Sequence, residues 1–147
     1  MKNLAIAAAL VVAGLAASTA QATNQLATAI GGYDTVAYFQ HGEARMGKAK
    51  FHHFWNGAVW FFETEANRDA FAADPVSFAP ANAPKYDGYC AWAASQNYKR
   101  PGDPNVWQIV DDRLYLFVHE GARDKWRADI PTFITQADEN WTRIAPY

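Results

Sequence analysis

Residues 50–62 decide the fold and read Lys50-Phe51-His52-His53-Phe54-Trp55-Asn56-Gly57-Ala58-Val59-Trp60-Phe61-Phe62. Two aromatic-rich runs flank Asn56-Gly57, a dipeptide that suits the positive φ angles of a tight type I′ turn. The sequence therefore predicts an antiparallel hairpin whose two-residue turn fixes the register. The predicted facing pairs are Trp55 with Ala58, His53 with Trp60, Phe51 with Phe62, Phe54 with Val59 and His52 with Phe61.

A second hairpin is predicted around Asp111-Asp112, between residues 107–110 and 113–118. Residues of its second strand alternate, so that Leu114, Leu116 and Val118 share one face while Tyr115, Phe117 and His119 share the other. The pattern therefore predicts which side chains of this strand lie together on each face.

Short helices are predicted around the two hairpins. Thr64 has the side chain of an N-cap for a helix that continues to about Ala73, and Pro75 lies beyond its end. Residues 79–85 and 99–105 are predicted to be loops, and no internal repeat is evident. The sum is a single α+β domain, a small antiparallel sheet of two hairpins packed with several short α-helices. Further helices are expected at residues 75–79, at residues 88–96 and twice after residue 119, where Pro131 suits the start of the last.

The first 22 residues are typical of a secretory signal. Lys2 supplies the positive end, residues 4–17 form the apolar run, and Ala20-Gln21-Ala22 has the form of a cleavage site. The mature domain is therefore predicted at residues 23–147. The apolar run is shorter than the roughly 20 residues of a membrane-spanning helix, and no arginine pair precedes it. We expect a periplasmic or secreted protein, exported by the general rather than the twin-arginine route, with no stable membrane insertion after cleavage.

The charge balance bears on the class of partner. The formal net charge is −2 at pH 7, and the chain has no polybasic segment. Nucleic acid is therefore a poor candidate for a partner.

Cys90 is the single cysteine of the chain and lies in or just before the first turn of the helix predicted at residues 88–96. Exported proteins usually pair their thiols, and this thiol has no partner in the chain. A thiolate at a helix N-terminus is favoured by the local positive potential, which would make it reactive. A free cysteine is equally among the most buried residue types. Both interpretations stay open.

Several motifs together resemble one family. Tyr33-Asp34-Thr35-Val36-Ala37-Tyr38-Phe39 resembles the opening of exported YHS-domain proteins, and further matches follow in order over nearly the whole mature chain. These are Phe61-Phe62, Asn67-Arg68-Asp69-Ala70-Phe71, Asp74-Pro75, Phe78-Ala79-Pro80, Gly88-Tyr89-Cys90-Ala91, Asp103-Pro104, Trp107, Ile109-Val110-Asp111, Leu114-Tyr115-Leu116, Trp126 and Ala137-Asp138-Glu139-Asn140-Trp141.

The resemblance implies a fold more than an activity. Short YHS domains of metal-handling proteins carry a Cys-x-x-x-Cys motif after the hairpin, which is thought to hold soft metals. Glu63 and Asn67 stand at those positions here, and their oxygen atoms suit a harder class of ion. Asp87 stands where the exported members commonly have a glycine.

Two kinds of ligand are considered near Cys90. A metal site of Cys90, His53 and His119 would suit copper or zinc, which accept thiolate and imidazole ligands. His52 cannot join His53 on one ion, because adjacent strand residues point to opposite faces. A small ligand would instead contact Tyr33, Asp34, Tyr89 and Trp92.

Three hypotheses follow in order of preference. The first is a periplasmic YHS-type binding module, not an enzyme, for a soft metal ion or a small ligand near Cys90. The second is a structural or protein-interaction domain with Cys90 in its core and no metal. The third is a thiol-dependent enzyme, and it ranks last because the chain carries no linear signature of a hydrolase or transferase.

Overall fold

The computed structural model describes residues 27–78 and 85–145. The predicted signal sequence and residues 79–84 of a predicted loop lie outside these ranges. The strands are β1 (Ala27–Thr28), β2 (Lys48–Trp55), β3 (Ala58–Phe62), β4 (Asp103–Val110) and β5 (Arg113–Phe117). The α-helices are α1 (Thr35–His41), α2 (Glu65–Ala73), α3 (Pro75–Phe78), α4 (Ala91–Ser95), α5 (Glu120–Arg127) and α6 (Ile130–Ile144). The predicted α+β class is confirmed: two small sheets, one of three and one of two strands, are packed with helices.

The first sheet is built on the predicted hairpin. Asn56 and Gly57 both have positive φ, as the type I′ turn requires. The four predicted pairs nearest the turn are confirmed. The predicted pair of Phe51 with Phe62 is wrong, because the register shifts before His52 and Phe62 pairs with Lys48. Strand β1 adds a third strand, parallel to β3.

Side-chain caps begin four of the described helices, α1, α2, α5 and α6. Thr64 caps α2 as predicted, since its hydroxyl accepts the N–H of Asn67 at 3.1 Å. Helix α1 is not predicted from the sequence, and it begins because the carboxylate of Asp34 accepts the N–H groups of Val36 and Ala37. Asp129 begins α6 in the same way.

The second hairpin lies between two cores. The predicted loop at residues 99–105 is shorter than expected, since β4 already begins at Asp103. On β5, Tyr115 and Phe117 pack in one apolar cluster with α4, α5 and α6. Leu114 and Leu116 pack in the other, with α1 and the first sheet. The predicted division of faces is confirmed for these four residues, but β5 ends at Phe117 and does not include Val118 or His119 as predicted.

The same arrangement of elements occurs twice along the chain. The first half (residues 29–78) has a 3-10 turn, α1, the hairpin β2–β3, α2 and α3. The second half (residues 85–145) has a 3-10 turn, α4, the hairpin β4–β5, α5 and α6. Both hairpins shift register at equivalent places, between Lys48 and His52 and between Asp103 and Trp107. The fold is therefore an internal duplication.

Backbone hydrogen bonds repeat between the halves at positions 55 or 56 residues apart. The N–H of Gly47 donates to the carbonyl of Gly32 at 2.9 Å, and the N–H of Gly102 donates to that of Gly88 at 2.9 Å. The sequence hides this repeat because few equivalent residues are identical. They include Gly32 and Gly88, Tyr33 and Tyr89, Arg45 and Arg100, Gly47 and Gly102, Phe62 and Phe117, Glu65 and Glu120, and Arg68 and Arg123.

None of the helices in residues 27–78 and 85–145 has both the length and the apolar character needed to span a bilayer.

Candidate functional site

Two equivalent turns precede the first helix of each half, and we call them the Gly–Tyr turns (residues 29–33 and 85–89). In each, two successive residues adopt left-handed backbone angles. They are Ile30 and Gly31 in the first turn and Tyr86 and Asp87 in the second. Asp87 thus takes the place of Gly31, and aspartate is among the non-glycine residues that tolerate this region best.

A cavity of about 300 Å³ lies where the two Gly–Tyr turns approach each other, and we call it the junction cavity. Its walls come from both halves and are largely apolar. The lining residues are Thr28, Ile30, Gly31, Asp87, Gly88, Tyr89, Pro101, Gly102, Pro104 and Leu116.

Asp87 supplies the carboxylate of the junction cavity. Partial burial raises the pKa of this carboxyl, and the opposing influence of Lys99 is weaker. The ammonium of Lys99 lies over the ring of Tyr89, 4.9 Å from its centroid, as in a cation–π contact. Asp87 is itself an exposed residue, so one wall of the cavity combines a carboxylate that also meets solvent with an aromatic ring.

Cys90 lies beside this cavity but is fully buried, with none of its surface exposed. Its backbone N–H donates to the carbonyl of Arg100 at 2.8 Å, and its carbonyl accepts the N–H of Ala94 at 3.0 Å. A β-bridge joins Cys90 to Leu116, which lines the cavity. The thiol is thus a core group close to the cavity and is not accessible to solvent.

The two candidate histidines have other contacts. His53 lies edge-on to the ring of Phe71, with 5.9 Å between ring centroids. His119 caps α5, where its Nδ1 accepts the N–H of Ala122 at 3.1 Å. In residues 27–78 and 85–145, no three histidine, cysteine or acidic side chains are grouped so that they could hold a metal ion. The structure therefore does not bring Cys90, His53 and His119 together as such a group.

Glu63 and Asn67, which stand at the cysteine positions of short YHS domains, also have protein partners. Glu63 forms an ion pair with Arg45 at 3.0 Å, and this contact lowers the pKa of the Glu63 carboxyl. The amide of Asn67 donates to Asp34 at 2.7 Å.

Asp34 is a fully buried cap. Its Oδ1 accepts two N–H groups at the start of α1, and its Oδ2 accepts the N–H of Glu63 at 2.8 Å and the amide of Asn67. Four donors thus satisfy the carboxylate inside the protein, and it does not reach the junction cavity.

The other three predicted contact residues differ in position. Tyr89 lines the junction cavity. The hydroxyl of Tyr33 accepts the amide of Asn105 at 3.2 Å, and Tyr33 is not among the lining residues. Trp92 is half-buried against Phe133, with ring centroids 4.9 Å apart. Of the four, the structure places Tyr89 alone in the cavity wall.

The remaining walls were missed from sequence. Pro101, Gly102 and Pro104 belong to a segment predicted only as a loop, and Gly31 is not among the predicted site residues. The local sequence signal at these residues is the concentration of glycine and proline. It predicts a turn but not which segment of the chain packs against that turn.

Comparisons with known proteins identify no relative. No protein-family model matches the chain, no curated protein is detectably similar to it, and no solved structure matches its fold. The YHS resemblance therefore stays a prediction from the sequence motifs.

Proposed function

We propose that this chain is a non-enzymatic binding module of the exported YHS type, and that it binds a small molecule in the junction cavity. The proposed ligand has an apolar body and a protonated amine. The export signal predicted from the sequence would place this binding in the periplasm or outside the cell.

The observation that carries the proposal is the pairing of Asp87 with apolar walls in the junction cavity. A carboxylate with a raised pKa is incompletely solvated, and a cation beside it restores the lost stabilisation. The ring of Tyr89, Pro101 and Pro104 would cover an apolar body. A volume of about 300 Å³ admits a compact ligand of this kind.

Three model compounds of similar shape test the proposal: phenethylamine, phenethyl alcohol and phenylacetate. Each is titrated into isotope-labelled protein while the amide signals of Gly31, Gly88 and Gly102 are followed by NMR. We expect the amine to shift these signals most and the carboxylate least. Equal effects of all three compounds, or none from the amine, would contradict the proposal.

A matched pair of variants isolates the role of the carboxylate. Asp87→Asn removes the charge at a left-handed position that asparagine also tolerates. Asp112→Asn makes the same chemical change at another left-handed position, on the exposed tip of the second hairpin. Only the first variant should weaken amine binding, by about tenfold, the scale of one lost charge-assisted hydrogen bond.

The metal form of the hypothesis has its own test. The test is elemental analysis of untagged protein purified without chelators. Near-stoichiometric copper or zinc that is lost in Cys90→Ser would favour the metal site over our proposal. We expect neither metal near stoichiometry, because the candidate side chains have the separate contacts described above.

A second candidate function is a structural or interaction domain with Cys90 in its core. The complete burial of Cys90 favours it. Absence of any amine-specific shift at the junction cavity, with the fold intact, would move the preference to this candidate.

A further inference from the structure

Each half of the fold carries an arginine at the same place, Arg45 in the first half and Arg100 in the second. The carbonyl oxygen of each accepts, at 2.8 Å, the N–H of the residue that precedes the first helix of its half. The residue after each arginine forms a β-bridge with the tyrosine of a Gly–Tyr turn. Three residues before each arginine, Gly42 and Asn97 both have positive φ. The two backbone segments are therefore equivalent residue by residue.

Two carboxylates surround the guanidinium of the first half. The Nη1 atom of Arg45 lies 3.0 Å from Oε2 of Glu63, and its Nη2 atom lies 2.9 Å from Oε2 of Glu43. Glu63 is the residue immediately before Thr64, the N-cap of α2. The charge of Arg45 is therefore neutralised within the protein, by one residue from the loop before β2 and one from the end of β3.

Both carboxylates are absent from the equivalent positions of the second half. Tyr98 stands at the position of Glu43, and Val118 stands at the position of Glu63, immediately before the N-cap of α5. Arg100 is exposed. Among the residues that the structure describes, its side chain takes part in no ion pair and no hydrogen bond. The second half thus keeps the arginine without the carboxylates that neutralise Arg45.

The other charged groups near Arg100 in the sequence have contacts elsewhere. The ammonium of Lys99 lies 4.9 Å from the centroid of the Tyr89 ring. The carboxylate of Asp103 accepts the N–H of Asn105 at 2.9 Å and its side-chain amide at 3.1 Å. Within the described part of the chain, the charge of Arg100 is therefore left for an external group to neutralise.

Tyr98 and Val118 are accessible at the surface. Tyr98 is 45% exposed and Val118 is 37% exposed, which is high for large apolar side chains. We call Tyr98, Arg100 and Val118 the Arg100 patch. Tyrosine and arginine are among the residue types that contribute most to binding at protein–protein interfaces. The patch therefore has the composition of an interaction site.

We infer that the Arg100 patch binds a glutamate side chain of a partner protein, in a segment whose residues next to that glutamate are apolar. The glutamate would take the place that Glu63 has beside Arg45. The planar guanidinium offers paired N–H donors that match the two oxygens of a carboxylate. The apolar neighbours of the glutamate would cover Tyr98 and Val118 and remove their surface from water.

A polyanion fits the patch less well than a single carboxylate. Binding of several phosphates requires several cations. The two positions that hold carboxylates in the first half hold no cation in the second, and the formal net charge of the chain is −2 at pH 7. One carboxylate among apolar groups matches one cation between Tyr98 and Val118.

The test uses two synthetic peptides, each blocked at both ends, that differ in one residue. The central residue is glutamate in one and glutamine in the other, with leucine and tyrosine on either side. Each is titrated into isotope-labelled protein, and the affinity is read from the NMR amide signals of Tyr98, Arg100 and Val118. We expect the glutamate peptide to bind about fivefold more tightly, the upper range for an exposed ion pair.

A matched pair of arginine variants assigns this preference to one residue. Arg100→Gln should abolish the preference for the glutamate peptide. Arg45→Gln removes the equivalent guanidinium of the first half, which already has carboxylate partners, and should leave the preference unchanged. Both changes keep a long polar side chain, so the fold is expected to persist.

A second pair of variants supplies the missing carboxylate from within the chain. Val118→Glu places a carboxylate where the first half has Glu63, so it should shift the Nε–H signal of Arg100 and weaken the glutamate peptide by about fivefold. Val76→Glu adds the same charge at another exposed apolar position, which is 61% exposed, and should change neither.

Several outcomes would overturn the inference. Failure of both peptides to bind, equal binding of both, or a preference that survives in Arg100→Gln contradicts it. Self-association in sedimentation that Arg100→Gln abolishes would assign the patch to a second copy of the chain. Tighter binding of a glutamine peptide with a free C-terminal carboxylate than of the blocked glutamate peptide would assign it to a chain terminus. Amine binding in the junction cavity is independent of every one of these results.

Discussion

Asp34 and Cys90 occupy the same position in the two halves of the fold. Each is the N-cap of a short helix, and the backbone N–H of each donates to an arginine carbonyl at 2.8 Å, that of Arg45 or Arg100. The side chains differ completely in chemistry. The carboxylate of Asp34 accepts the backbone N–H of Glu63 and the side-chain amide of Asn67. The position equivalent to Asn67 holds Ala122 in the second half, and alanine has no side-chain donor.

The first prediction concerns the buried contact between Asp34 and Asn67. Asn67→Ala leaves one oxygen of a buried carboxylate without its amide donor and should cost about 1–3 kcal/mol in free energy of unfolding. In a double-mutant cycle with Asp34→Ala, the two changes should be coupled by about 0.5–3 kcal/mol. Urea denaturation measures both values, and strictly additive effects would show that the contact contributes nothing.

The second prediction concerns the accessibility of Cys90. Because its side chain is fully buried, a thiol reagent should label it slowly in the folded protein and rapidly in denaturant. Labelling of the folded protein should require local or global unfolding, so conditions that stabilise the protein should lower the labelling rate. Rapid labelling of the native state, with an inflection near neutral pH, would instead point to a reactive thiol and revive the enzymatic hypothesis.

The third prediction concerns the equivalent glycines Gly47 and Gly102. A Cβ at Gly102 would lie 2.6 Å from the Cβ of Leu116 and 2.7 Å from the carbonyl oxygen of Gly88. A Cβ at Gly47 would lie 2.4 Å from the backbone of Phe61, the residue equivalent to Leu116.

Alanine at either glycine should therefore destabilise the protein by about 1–3 kcal/mol, as overpacking does. Gly57→Ala is not a clean control because its φ is positive, so Ala49→Ser on exposed β2 serves instead. Thermal melts that show wild-type stability for Gly102→Ala would contradict the close approach of the two segments.

The fourth prediction concerns alkaline pH. Burial raises the pKa of Tyr115 to about 12 from an ordinary 10.0, and burial also raises the pKa values of Tyr38 and Tyr86. The unfolded chain releases these protons first, so the stabilisation is complete below pH 10 and is lost as pH rises toward 12.

Tyr115→Phe removes one of these ionisations and should move the alkaline unfolding midpoint to higher pH. Tyr98→Phe, at a position that is 45% exposed, is the control. Circular dichroism against pH measures the midpoint, and an identical shift in both variants would argue against burial as the cause.

Local signals account for most of what the sequence predicted correctly. Both hairpin turns, the cap at Thr64 and the alternation along β5 depend on neighbouring residues, and each is confirmed. Helix α1 depends on Asp34, whose capping geometry is held by donors 29 and 33 residues away. A sequence pattern read locally does not contain that information.

The start of β4 was missed for a different reason. Pro104 normally argues against a strand, because it has no N–H for the ladder. Here its carbonyl is instead the acceptor for Tyr38 from the other half of the molecule. The register of β4 shifts between Asp103 and Trp107, and no local sequence pattern predicts that shift.

The candidate site was less predictable than the fold. Tyr89 was anticipated as a contact residue, while the walls from Gly31, Pro101 and Pro104 come from segments separated by some 70 residues. The duplication is not evident in the sequence because equivalent positions share backbone hydrogen bonds but carry different side chains, as Asp34 and Cys90 do. The repeat is recognised from the backbone hydrogen bonds and not from residue identity.

The long helix α6 gives the duplicated fold a direction. Its counterpart in the first half is α3 (Pro75–Phe78), and α6 covers the second unit like the capping unit that terminates a repeat array. Among the described residues, Phe54 and Val59 on the other side of the first sheet belong to neither apolar cluster. A third unit would therefore be added by protein engineering on the side of Phe54 and Val59.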